Sequence, residues 1–183
     1  NMYYEERVAL PLIPADALAL AKKNILKECF VKHILITHNE SILDSPTSRT
    51  RDGALELSVM ILDSLKNLSL SFSSAANNHS DDPSAKRNGG SLGWVQWGSF
   101  VNEFQEPVFE HSPGDLFGPI ESPYGYHVVA LDSVRGSEFS LFEEDRLLYE
   151  SFLRSIPLVR DQLRSAATSY DSLVLAENNF FIN

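Results

Sequence analysis

Two histidines stand where strand side chains should be apolar. In "CFVKHILITH" (29–38), Val31, His33 and Leu35 share one face of an alternating segment. In "YGYHVVAL" (124–131), His127, Val129 and Leu131 do the same. An imidazole in an apolar row loses hydration and needs hydrogen-bond partners. Two neutral imidazoles can supply them to each other, one nitrogen donating and the other accepting. His33 and His127 are 94 residues apart, so they meet only if their strands are neighbours in a small antiparallel sheet. The pair could serve catalysis, or it could be a structural pair of core histidines. A zinc site is compositionally conceivable, but neither histidine has a short metal-ligand spacing. The single cysteine, Cys29, can form no internal disulfide and fits no metal-binding pattern. Gly89–Gly90 is a turn and not a phosphate loop, because no Lys-Ser/Thr follows it.

The elements that would carry these residues follow from periodicity and turn chemistry. After Pro14, the residues Ala17, Leu18, Ala21, Ile25 and Leu26 form a helical stripe. A strand over "CFVKHILITH" leads to a polar loop, "HNESILDSPTSRTRD", read as mobile. A helix with Ala54, Leu57, Ile61 and Leu65 on one face follows, then a shorter helix in "SLSFSSAANNHS". "DDPSAKRNGGSLG" is turn-rich and leads to a short strand from Trp94 to Trp97. These two indoles fall on opposite faces, so one should be exposed. Phe100, Val101, Phe104 and Val108 mark a short amphipathic helix, with Phe109 read as core. "LFGPIES" and "YGYHVVAL" form two strands joined by the tight turn "SPYG". His38, His79 and His111 lie in polar stretches and are read as solvated. Few strands with helices between them and a closing hairpin predict an α+β fold, a small mostly antiparallel sheet surrounded by helices. A helical tail follows Gly136, interrupted at Pro157, and the chain ends on a short extended piece.

Bulk properties narrow the function. A length of 183 residues allows one ordinary domain plus extensions, and 43% hydrophobic residues support a packed core. A formal charge of −10 argues against nucleic acid or an anionic membrane as the main partner. No apolar run approaches the roughly 20 residues that span a bilayer. The chain opens "NMYYEER", with Asn before the first Met, and is read as part of a longer protein whose targeting signal lies outside it.

Five short motifs now converge. "VKHILITH", "SDDPSA", "GGSLGWVQWGSF", Phe104 and "PGDLFGPIESPYGYHVVAL" resemble, in order and near spacing, the parvulin-type peptidyl-prolyl cis/trans isomerases. The resemblance covers about residues 28–135 and is nearest to bacterial extracytoplasmic foldases of the SurA-like and PrsA-like kinds. It implies a catalytic set of His33, Asp82, Ser122 and His127, with Leu92, Phe100 and Phe104 around the substrate proline ring. Phe100 departs from the family pattern, where Met or another aliphatic residue is common, and its ring would narrow the pocket. Asp82 holds a position that is Cys or Asp in the family, so a covalent thiol mechanism is excluded on this alignment. Arg49 and Arg51 are separated and share their loop with acidic residues, which argues against a phosphate-directed preference.

These readings set the expectations. The chain should comprise an N-terminal helical segment (1–27), an isomerase domain (28–136) and a C-terminal helical extension (137–183). The domain should isomerise Xaa–Pro bonds of unfolded or secreted polypeptides without covalent catalysis, metal or small-molecule cofactor, in a periplasmic or otherwise extracytoplasmic setting. Its partners would be proline-containing unfolded chains, with no role for nucleic acid. The rival is a peptide-binding chaperone module of the same fold with little isomerase activity.

Overall fold

The computed structural model describes residues 15–43 and 47–137. The chain divides into two compact units, Ile25–Glu138 and a second made of Asn1–Asn24 with Phe139–Asn183. In the second unit one helix is described, α1 (Ala15–Asn24). The tail with Pro157 and the terminal extended piece lie outside the described residues.

The Ile25–Glu138 unit runs β1 (Lys27–Ile36), α2 (Arg51–Lys66), α3 (Phe72–His79), α4 (Ala85–Asn88), β2 (Ser91–Gln96), α5 (Asn102–Glu110), β3 (Leu116–Ser122) and β4 (Gly125–Gly136). All strand pairs are antiparallel, and the sheet order is β2-β1-β4-β3. The fold is α+β, as the alternation of short strands and helices predicts. The longest strands, β1 and β4, are central neighbours, and Leu35 stands opposite His127 while His33 stands opposite Val129.

Strand alternation gives the two sheet faces separate tasks. Ile34, Ile36, Tyr126 and Val128 point to one side and pack with Ala54, Ile61, Leu62 and Leu65 of α2 and Ala75 and Ala76 of α3. Fully burying a Leu or Ile side chain is worth about 1.5–3 kcal/mol, so this layer anchors the sheet. The helix α2 begins at Arg51 because the Thr50 hydroxyl accepts from Gly53 N–H, with Asp52 in the first turn and Lys66 in the last. The opposite face carries Val31, His33, Leu35, His127, Val129 and Leu131, and α5 covers it.

Three local features differ from the sequence expectations. The strand β2 starts at Ser91, because Val31 pairs with Gly93 and Lys32 with Ser91, leaving Leu92 as the extra residue of a bulge. A single helical turn, α4, forms where turns alone were expected: Asp82 Oδ1 accepts Ser84 N–H at 2.8 Å and starts it. Phe100 lies ahead of α5, whose first residue is Asn102. Trp97 is 5% exposed and Trp94 38%, the opposite-face arrangement expected of them.

Candidate active site

The site forms where β1 and β4 lie side by side. His33 Nδ1 and His127 Nδ1 are 3.3 Å apart, and the rings stack at 20° with centroids 5.5 Å apart. Each ring has a second anchor: His33 Nε2 lies 2.8 Å from Asp82 Oδ2, and His127 Nε2 lies 2.7 Å from Ser122 Oγ. Strand alternation alone brings His33 and His127 together in the sequence reading, and the family pattern adds Asp82 and Ser122; the structure joins all four in one hydrogen-bonded row.

Donor and acceptor inventory orients that row. An ionised Asp82 accepts, so His33 Nε2–H donates to it. With His33 Nε2–H donating, His33 Nδ1 is the ring nitrogen that accepts from His127 Nδ1–H. The Nε2 of His127 is left to accept from the Ser122 hydroxyl, whose oxygen itself accepts Tyr124 N–H at 3.1 Å. All four side chains are satisfied with one direction of donation, from Ser122 towards Asp82.

The electrostatics agree with this direction. The hydrogen bond from His33 holds the Asp82 carboxyl well below the usual range, aided by Ser84 N–H and opposed by partial burial. Burial pushes His127 down to about 3, reinforced by the neighbouring His33 and opposed by Asp82. The His127 ring is therefore neutral at ordinary pH, and the one full negative charge sits at the end of the row.

Backbone devices hold the row in place. His33 N–H donates to Gly90 O at 2.8 Å, and a Cβ at Gly90 would come within 2.5 Å of His33 O, so only glycine permits this approach. Gly125, at φ +129°, closes the β3–β4 turn where a Cβ would meet Ile36 O at 2.4 Å. Asp81 was not singled out from sequence, yet it fixes the loop beside Asp82. Its Oδ2 accepts from Thr37 N–H, Thr37 Oγ1 and Arg49 at 2.8, 2.9 and 2.8 Å, and its N–H donates to Leu35 O. The only sequence signal for it was a second Asp next to the first.

The apolar side is uneven. The Phe104 ring lies 4.9 Å from the His127 ring and 5.9 Å from His33, and it is only 2% exposed. It forms a buried floor under the histidines. Buried Gln105 steadies that helix end, its Oε1 accepting Gly98 N–H at 2.7 Å and its Nε2 donating to Asn102. Phe100 packs 5.3 Å from Phe104 and stays 37% exposed, and Leu92 is half-buried in the β2 bulge. Phe109 is core.

Other residues fall into place around the row. Arg49 is taken up by Asp81 and Thr37 O, and Arg51 by Glu121 and the Tyr126 hydroxyl. Cys29 is fully buried, and burial raises its thiol pKa; at about 3.3 Å per residue it stands ~13 Å along β1 from His33. The expectation of solvated histidines fails at His38, which is 6% exposed beside the Tyr126 ring. It fails partly at His111, which is half-buried and stacks on Phe117 at 3.7 Å. Among the described residues, no group of three or more His, Cys, Asp or Glu side chains is arranged to hold a metal ion.

Residues 18–135 match the PPIC-type PPIase domain family. The chain belongs to that family of peptidyl-prolyl cis/trans isomerases. The match contains the whole histidine row of this PPIC-type domain. Over 118 residues it is 30% identical to the chaperone SurA of Alcanivorax borkumensis, covering 64% of this chain and 26% of that protein. It is 32% identical over 110 residues to a probable parvulin-type peptidyl-prolyl cis-trans isomerase of Bordetella bronchiseptica, covering 58% of this chain and 43% of the other. The crystal structure of the peptidylprolyl isomerase PrsA from Bacillus anthracis shares the fold, with a TM-score of 0.59 at 21% identity, covering 86% of this chain and 65% of that one. The chain thus spans about a quarter of the length of its SurA relative.

Proposed function

We propose that residues 28–136 isomerise Xaa–Pro bonds of unfolded or secreted polypeptides, as the isomerase module of an extracytoplasmic foldase, with residues 1–27 and 137–183 belonging to its chaperone-like part. The observation that carries this reading is the oriented row Ser122–His127–His33–Asp82, lying against the Phe104 floor. Its likeness to SurA and PrsA supports the foldase setting and the proline-containing clients.

Amide resonance gives the bond a rotation barrier of roughly 20 kcal/mol. The planar amide is charge-separated, so water stabilises it more than the twisted form. Twisting localises the lone pair on the proline nitrogen and leaves a ketone-like carbonyl. A dry, neutral pocket therefore favours the twisted state over the planar one. The His33–His127 pair supplies a polar surface that orients the carbonyl, with the Asp82 charge held at the far nitrogen of His33. Phe100 and Leu92 offer the apolar contact for the proline ring. A thousandfold acceleration requires about 4 kcal/mol, within reach of a few oriented contacts. No bond is broken, so no nucleophile is needed.

The test is cis/trans exchange of a short Ala–Pro peptide measured by NMR with and without the full chain. Acceleration supports the isomerase. Equal exchange at high protein concentration, with peptide binding retained, would establish the chaperone module in its place.

A further inference from the structure

Asp82 reaches His33 from a loop, so something other than a strand ladder must fix its carboxylate. The N–H groups of His33, Leu35 and Thr37 point to one edge of β1, because strand alternation has period two. Pairing with β2 ends at the first of them, where His33 N–H donates to Gly90 O. Beyond that point the segment Ser80–Asp82, which follows α3, occupies the same edge. Leu35 N–H donates to Ser80 Oγ at 3.1 Å, Asp81 N–H to Leu35 O at 2.7 Å, and Thr37 N–H to Asp81 Oδ2 at 2.8 Å.

Asp81 is the charged part of this attachment. Its Oδ2 also accepts from Thr37 Oγ1 at 2.9 Å and from Arg49 Nη1 at 2.8 Å, and Arg49 Nη1 donates to Thr37 O at 2.7 Å. The consecutive aspartates therefore send their carboxylates to different places on β1: Asp82 to His33, and Asp81 to Thr37, four residues or ~13 Å further along. Their side chains are only 18% and 22% exposed. Two adjacent carboxylates so placed oppose each other's ionisation unless one is neutralised. Arg49 neutralises Asp81, and the Asp82 charge is left to His33.

We infer that Asp81 is a positioning residue of the isomerase: gripped by Arg49 and Thr37, it fixes the Asp82 carboxylate at the place where it orients His33. The kinetic part of this inference rests on the isomerase reading. Asp81 is turned to Thr37 and Arg49, away from the histidine row, so its loss should lower kcat and leave KM nearly unchanged.

The experiment measures kcat and KM for Ala–Pro exchange by NMR on the full chain. A 1 Å misplacement of a catalytic group can cost about a hundredfold. Asp81→Asn keeps an oxygen for Thr37 but loses the ion pair, so a smaller displacement and a loss of about tenfold in kcat are expected, with KM within about twofold. Arg49→Gln should act in the same direction and carries the test if Asp81→Asn does not fold. In an Asp82→Ala background, Asp81→Asn should lower kcat by less than about twofold further, because the group it positions is gone. Asp132→Asn breaks another ion pair on the same strand, Lys32–Asp132 at 2.6 Å, and should leave kcat unchanged. Unchanged kcat in the folded Asp81→Asn or Arg49→Gln variant, or the same fold-loss with and without Asp82, overturns the inference. A second readout needs no substrate: the His33 Nε2–H proton, held by Asp82, should shift or broaden in Asp81→Asn and not in Asp132→Asn. If wild type accelerates no exchange, the enzyme reading fails, and an unmoved His33 resonance in Asp81→Asn still overturns the positioning role.

Discussion

The row predicts that the two histidines are energetically coupled, with a sign that can be worked from the contacts. In His127→Leu, His33 Nδ1 loses its donor, while Ser122 can turn its hydroxyl towards Gly125 O, 3.4 Å away. In His33→Leu, His127 Nδ1–H loses its acceptor, and Asp82, with 18% of its side chain exposed, turns partly to water. Each single variant thus leaves one buried group unpaired, at a cost of about 1–3 kcal/mol. The double variant has neither orphan. Its destabilisation should fall short of the sum of the singles by about 2 kcal/mol, within the range seen for residues in direct contact. Urea unfolding at pH 7.5, where the His127 ring is neutral, measures this. Fluorescence of Trp97, buried against Phe109 at 5.2 Å, reports the sheet unit whatever the flanking segments do. Additivity within about 0.5 kcal/mol would refute the oriented row, because a 3.3 Å contact with no coupling energy is no hydrogen bond.

Three further outcomes follow from the same geometry. His127 titrates at about 3 when folded and near 6.5 when unfolded, so the folded state binds fewer protons between these values. Stability is full above pH 6.5 and should fall by roughly 2–3 kcal/mol by pH 4.5. Asp82, held ionised in the folded state, adds little above pH 4.5, because a free carboxyl titrates near 3.9; a wild-type slope between pH 6.5 and 4.5 matching that of His127→Leu in urea melts would contradict this. Phe104→Ala removes a buried ring and should cost about 3–5 kcal/mol, whereas Phe100→Ala, at a partly exposed site, should cost under about 1 kcal/mol while raising KM severalfold. Equal KM for Phe100→Ala and wild type would remove Phe100 from the proline contact. Isomerase activity should survive EDTA and thiol-blocking reagents, since the site as drawn uses neither a metal nor Cys29, and loss under either reagent counts against it.

The meeting of His33 and His127 was legible because it depends on two local features, period-two alternation and neighbouring antiparallel strands. Asp82 was not legible in that way. It reaches His33 from a loop shaped by the Asx contact to Ser84 and by Asp81 gripping Thr37 and Arg49, and none of these leaves a periodic trace. Its assignment came from the family pattern alone. His38 was misread for a physical reason: polar neighbours suggest solvent, but the chain leaving β1 carries the ring in beside Tyr126. The amphipathic stripe over Phe100, Phe104 and Val108 correctly indicated a helix. It could not show that the helix begins only at Asn102, and that offset separates an exposed Phe100 from a buried Phe104.

These placements divide the domain's work between two kinds of backbone. His33 and His127 sit on the paired central strands, and Ser122 closes a two-residue turn, so their geometry is held by main-chain ladders and two glycine contacts. Changes there should alter the twisted state and hence kcat. The neighbouring surface lined by His38, Glu40, Arg51, Glu103 and Glu121 is instead built from a loop and the outer ends of α2, α5 and β3, where Glu40 and Glu103 are exposed and can change without disturbing the core or the histidine row.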